Sequence, residues 1–264
     1  MNGRTACDVS DCMATSAYTL VAYSIIFGAG RYVFSPMFFP KTYARLGTIP
    51  GQRGYWDSSW ASLMNAYMAV LAIFAVMRLP EFATSPDAFL KSTDSCRLVV
   101  IFLTWNCFDL VHMLYHWQFG AQWAMLVHHV SAVTAWALYL EGGYGHALSL
   151  VGLGCEATNP FMNIRYFLQE TGHRESKWYV YNGIAFCVAW LVVRIGFAIP
   201  AGVYLITIQW ASLQALPAWR RYFFAGFFGV GASLNLMWGQ RLFLGALKVL
   251  RGGGGGEAST KKRT

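Results

Sequence analysis

The chain has 264 residues, 56% of them apolar and only 12% charged, against roughly 25% charged in an ordinary soluble domain. A soluble fold of this composition would leave large apolar patches facing water, so the sequence reads as an integral membrane protein. The net charge of +8 lies mainly in loops and tail, where it can face lipid headgroups; it forms no basic stripe on a soluble scaffold, which excludes nucleic acid as a partner.

Windows of ~20 apolar residues predict seven spans in chain order, near 14–34, 58–79, 97–117, 121–140, 145–168, 179–208 and 222–249. The predicted fold class is all-α, a polytopic transmembrane helical bundle. Its parts are a short luminal N-terminus (1–13), a first span with a cytosolic loop (14–54), a membrane domain (55–250) and a flexible tail (251–264). The first apolar run is read as a retained span and not a cleaved leader, because Arg4 is set against Asp8 and Asp11. Pro36, Pro40, Pro50 and Gly51 follow it, Pro80 and Pro86 follow the second span, and Gly142 and Gly143 follow the fourth.

Cys7 and Cys12 could pair if the N-terminus is luminal, while Cys96, Cys107, Cys155 and Cys187 lie in or beside apolar segments and are read as small hydrophobes. Lys41, Arg45 and Arg53 follow the first span, and Lys248, Arg251, Lys261, Lys262 and Arg263 follow the last. Positive-inside bias then places the N-terminus in the lumen and the C-terminus in the cytosol; Arg220 and Arg221, in a predicted luminal loop, run against it. Glycines 252–256 form a flexible tether that presents Lys261-Lys262-Arg263-Thr264. This end resembles the dilysine signal that returns membrane proteins to the endoplasmic reticulum, an address read by coat proteins on the cytosolic side. A basic patch for anionic lipid is the alternative.

Polar residues inside the spans are the candidate site, because an ionisable group at bilayer depth costs at least ~2.5 kcal/mol. Asp109, His112 and His116 are spaced to share one face of the third span. His128 and His129 stand together in the fourth, AQWAMLVHHVSAVTAWALYL. With the hairpin centred near Phe119, Asp109 and the histidine pair are each nine or ten residues from the turn, ~15 Å deep at 1.5 Å per residue, so direct contact is expected. Glu156, Arg194 and Asn235 fall midway along the fifth, sixth and seventh spans. Pro160 cannot donate to the Glu156 carbonyl, which frees an acceptor beside the carboxylate. Buried pairs, Glu156 with Arg194 and Asp109 with a histidine, would serve equally to fix helix register. His146 and His173, near span ends, are read as solvated, and Gly226, Gly229 and Gly231 as sites of close helix packing.

The stretches FDLVHMLYH, LVHHVSAVTAW, CEATNPFMNIRYFL, VVRIGFAIP and LNLMWGQRL together resemble the TLC-domain family, shared by ceramide synthases, translocation-associated proteins and small stand-alone proteins of lipid homeostasis. The similarity spans about residues 55 to 250 and is greatest to the small proteins, whose fifth-span motif stands here as Glu156, Thr158, Asn159, Pro160, Phe161, Asn163, Arg165 and Tyr166. The resemblance implies a bundle of transmembrane helices enclosing a lipid-accessible cavity, and the dilysine-like tail places it in the endoplasmic reticulum membrane. By that resemblance Asp109, His128, His129, Glu156, Pro160, Asn163, Arg165 and Arg194 are family positions. The candidate site is then His128, His129 and Asp109 as catalytic groups and Glu156, Asn163, Arg165 and Arg194 as lipid- or substrate-binding groups, with His112 added to the latter from its place on the Asp109 face.

The best-characterised family reaction moves an acyl group from acyl-CoA to a sphingoid amine. There a histidine held in one tautomer by a carboxylate would act as general base, with Arg194 or Arg165 holding a headgroup or phosphate. Cys155, Glu156 and Asn159 occupy the places of the H-D-x-x-D motif of ceramide synthases, and Asn65 stands where small members carry a histidine. The expectation is therefore action on membrane lipid composition by binding or by an unassigned modification, with the acyl-CoA-dependent reaction as the alternative. The His112-x3-His116 and His128-His129 spacing is also similar to the histidine boxes of membrane di-iron enzymes. Those need about eight imidazoles for their metal, the chain has six, and no metal or other cofactor is expected.

Overall fold

The computed structural model describes residues 7–116 and 123–250; the 117–122 connection, the tail and its lysine pair lie outside the described residues. Among the described residues the chain is helical and without strands. The first pass is α1 (Val9–Ala29), a π-helical turn (Gly30–Phe34) and the short α2 (Ser35–Phe38), followed by α3 (Pro40–Gly47). The second is α4 (Gln52–Ala61), a 3-10 turn and α5 (Asn65–Arg78). The third and fourth are α6 (Thr93–Tyr115) and α7 (Trp123–Gly142). The fifth is broken into α8 (His146–Cys155), a 3-10 turn (Glu156–Thr158) and α9 (Asn159–Glu170). The sixth runs from α10 (Lys177–Ala189) through a π-helical stretch (Trp190–Ala198) into α11 (Ile199–Leu213), and the seventh is α12 (Ala218–Leu250).

Five of these passes, the first four and the sixth, are long and apolar enough to cross a membrane. In the fifth and seventh passes Glu156, Asn159, Asn163 and Asn235 interrupt the apolar run. Large apolar side chains face outward, such as Ile73 and Val192, each 61% exposed. That is the surface of a bundle solvated by lipid. Inside, Tyr23, Trp105 and Phe108 stack between α1 and α6, with Tyr23 and Trp105 centroids 4.5 Å apart. Tyr139, Tyr144 and Phe224 join α7 to α12.

The two ends of the bundle are pinned by different contacts. At the end where α1 and α6 begin, Asp11 takes a bidentate bond from Arg97 (2.8 and 2.8 Å). Glu141 pairs there with Arg220 at 2.6 Å. Ser92 caps α6 in a reciprocal box with Ser95. At the opposite end Arg45 grips both the carboxylate and the carbonyl of Glu170 at 2.9 Å, and Trp56 and Trp60 both donate to Ser35 Oγ (2.8 and 2.9 Å).

Three sequence expectations are corrected. Cys7 bonds to Cys96 and not to Cys12, because α1 packs along α6 in parallel and brings the two Cα atoms to 5.6 Å. His146 is not solvated but fully buried at the start of α8. Gly226, Gly229 and Gly231 meet no neighbour within 4 Å of an added Cβ; close packing falls on Gly30 against Trp60, Gly202 against Phe228 and Gly239 against Ile195 and Trp190.

Candidate functional site

The antiparallel hairpin of α6 and α7 brings Asp109 Oδ2 to 3.1 Å from His129 Nε2. An anionic carboxylate has only acceptors, so the Nε2–H of His129 donates and a neutral ring keeps its lone pair at Nδ1. That nitrogen is buried and has no hydrogen-bond partner among the described residues. His128 packs edge to face on Trp238 of α12, with ring centroids 5.6 Å apart, and lies 5.4 Å from the His129 ring.

Glu156 and Arg194 do not pair directly, as register pairing would have had it; Asn159 stands between them. Its Nδ2 donates to Glu156 Oε2 at 2.7 Å while its Oδ1 accepts from Arg194 Nη2 at 2.9 Å. Arg194 also donates to Thr158 Oγ1 (Nε, 2.8 Å) and Asn235 Oδ1 (Nη1, 3.1 Å). Its guanidinium also lies 4.4 Å over the Trp190 ring. The guanidinium is 5% exposed yet hydrogen-bonded on three sides, which is what a buried cation requires.

Local backbone chemistry sets these positions. Pro160 blocks the α-helical bond to the Glu156 carbonyl, and the chain tightens into a 3-10 turn whose Asn159 N–H takes that carbonyl instead. The carbonyl expected to be free is therefore satisfied, and the break turns Glu156, Thr158 and Asn159 inward together. Arg194 lies in the π-helical stretch, a wider winding that recurs at functional sites and here ends just before Pro200, which lacks an N–H.

Asp109, His128, His129, Glu156 and Arg194 all line one cavity of about 260 Å³, with Asn65, Asn106, Asn159, Trp238 and Arg241. A second cavity of about 110 Å³, walled mainly by Phe102, Trp136, Val151, Ile199 and Phe227, shares His128, Glu156 and Arg194 with it. Polar groups therefore stand on the wall shared by a chamber and a smaller slot, both otherwise lined mainly by apolar side chains.

Three of the expected residues lie elsewhere. His112 stacks on Phe27 and Phe108 at 4.4 and 4.5 Å and lines an outer groove between α1 and α6. Arg165 covers Tyr179 at 4.0 Å, on the α9–α10 contact. Asn163 is buried outside both cavities, and its Nδ2 has no partner among the described residues. Asn106, Trp190, Trp238 and Arg241 join the site without having been singled out by the sequence. Asn65 is there too, its buried Oδ1 without a partner among the described residues.

The comparisons agree with this architecture. A family model for the TLC domain matches residues 55–244. TLC domain-containing protein 4-B of Danio rerio is 24% identical over 260 residues, covering 94% of both chains. TLC domain-containing protein 4-A of Xenopus laevis is 25% identical over 71% of each chain. TLC domain-containing protein 4 A of Dictyostelium discoideum is 27% identical over 61% of this chain and 63% of its own. No solved structure matches. With the family model covering most of its length, the chain belongs to the TLC-domain family of membrane proteins.

Proposed function

We propose that this protein acts in membrane lipid homeostasis in the endoplasmic reticulum, by binding lipid or by an unassigned lipid modification in the cavity. The observation that carries this reading is the shared wall of the two cavities: a headgroup would meet Asp109, the histidines, Arg194 and the open acceptor of Asn65, and an aliphatic chain would lie in the adjoining slot. Drug-sized ligands take a similar mixture of apolar wall and a few placed polar groups.

The Asp109–His129 contact favours an acyl-CoA-dependent N-acyltransferase as a second reading. A neutral imidazole with its proton held at Nε2 offers Nδ1 to an amine that must lose a proton. The amine proton would pass to that nitrogen as the carbonyl carbon gains the new bond and the thiolate leaves. Asn159 and Glu156 in place of the synthase motif weigh toward binding or another modification.

The distribution of charge supports a luminal N-terminus. At the Cys7–Cys96 end Arg97 and Arg220 are matched by Asp11 and Glu141, and Arg221 Nη1 donates to Gln214 Oε1. Lys41, Arg45, Arg53, Arg174, Lys177 and Lys248 collect at the opposite end, as positive-inside bias requires of the cytosolic side. A disulfide on the luminal side fits an oxidising compartment. The Lys261-Lys262 end, recognised by coat protein, would return the chain to the endoplasmic reticulum.

Untargeted lipidomics on cells lacking the protein tests the reading. Wild type should restore at least one lipid class; a knockout with an unchanged lipidome would refute a role in lipid composition.

A further inference from the structure

The sulfurs of Cys7 and Cys96 and a ring nitrogen of His146 lie within 4.8 Å of one another, where α1, α6 and α8 begin. Ser95 Oγ accepts the Ser92 N–H at 2.8 Å and stands 3.0 Å from the Ser92 carbonyl and 2.9 Å from His146 Nδ1. When its hydroxyl donates to the Ser92 carbonyl it accepts from Nδ1–H, and in that tautomer the lone pair of the ring is at Nε2. Nε2 is buried and has no hydrogen-bond partner among the described residues. An imidazole lone pair with two cysteine sulfurs is a soft ligand set for a transition metal. The Ser95 contact is the outer-shell bond that metal-binding histidines commonly make through their other nitrogen.

We infer that, with the disulfide reduced, Cys7, Cys96 and His146 form a site for a soft divalent metal ion, with zinc as its type, distinct from the lipid cavity. Two thiolates and one imidazole leave a fourth tetrahedral position for water, and half-buried Cys7 gives the ion a way in. The same two sulfurs serve both states, so disulfide and metal exclude each other. A dithiol reductant gives two electrons to the S–S bond and is itself oxidised to a disulfide, releasing Cys7 and Cys96 as thiols. The metal then displaces one proton from each thiol as two metal–sulfur bonds form. Through His146 the metal state would tie α8, whose far end leads into Glu156, to the N-terminus.

The test uses the full chain in detergent without a polyhistidine tag. It is reduced with dithiothreitol, freed of reductant anaerobically and titrated with Co²⁺, then with Zn²⁺. About one equivalent of Co²⁺ should bind, with a thiolate-to-cobalt absorption band that Zn²⁺ abolishes. The unreduced chain should bind none. Cys7→Ser and His146→Gln should each weaken binding about 100-fold, whereas Cys12→Ser and Cys107→Ser should bind as wild type. Should a variant fail to fold, judged by size-exclusion elution, alkylation of reduced wild type with iodoacetamide replaces it and must abolish the band. No cobalt band in the reduced wild type, or a band that survives alkylation or Cys7→Ser, would overturn the assignment.

Discussion

Asn159 is the residue on which the polar cluster turns. One amide satisfies an anion and a cation at once, through Nδ2 to Glu156 and Oδ1 to Arg194, so the two charges are held without direct contact. Hydrogen bonds to charged groups contribute ~1.5–3 kcal/mol each, and Asn159→Ala removes two. The variant should lose about 3 kcal/mol of stability, seen as a lower thermal midpoint in detergent. Asn159→Asp should lie below wild type too: it keeps the Arg194 acceptor but sets a carboxylate against Glu156. Equal midpoints for all three would show that the relay carries no weight. The histidines divide in the same way. His129 is buried and held by Asp109, whereas His128 faces both cavities. Asp109→Asn should therefore leave protein abundance near wild type and remove lipid rescue, since an amide neither fixes the tautomer nor balances a charged imidazole.

At the scale of the helices, irregular windings do the positioning. The 3-10 turn before Pro160 and the π-helical stretch around Arg194 each depart from 3.6 residues per turn where a polar side chain must point inward. Glycine contacts set how closely the passes approach. A Cβ on Gly30 would overlap the Trp60 side chain, whereas one on Gly226 meets nothing within 4 Å among the described residues. Gly30→Ala should cost ~1–3 kcal/mol through overpacking, and Gly226→Ala should be neutral or stabilising by up to ~1 kcal/mol through helix propensity. Midpoints in the reverse order would contradict the packing. The hairpin arithmetic that put Asp109 beside a histidine needed only the helical rise and a short connection, so this contact was legible. The companion pair was not: sequence supplied Glu156 and Arg194 at matching depth, but only the rotation set by two irregular turns put Asn159 between them. Rotation also explains why His112 and Arg165, at plausible heights, face a groove and a neighbouring tyrosine. The helical passes were legible from hydropathy, since lipid admits few alternatives to a helix; of the seven expected spans, five are long and apolar enough to cross a membrane among the described residues.

At the scale of the molecule, the link between Cys7 and Cys96 closes 89 residues of sequence and clamps the first pass to the domain that the family model covers. Long-range pairing of this kind has no local signature, which is why two cysteines five positions apart looked the better match. Loop-closure entropy sets an upper bound of ~4–5 kcal/mol on its contribution. Cys7→Ser should thus lower the thermal midpoint, and reduction should lower wild type but not the variant. If reduction shifts both equally, the bond is not what stabilises the fold.

In the proposed function, the cavity lined by Asp109, His128, His129, Glu156 and Arg194 is a working lipid site. The most direct measurement is lipidomics on cells lacking the protein, rescued with wild type or with the His128→Ala/His129→Ala double variant at matched membrane abundance. Only wild type should restore the altered lipid class. Equal restoration by the double variant would show that the histidines serve structure alone and that the protein acts without this site.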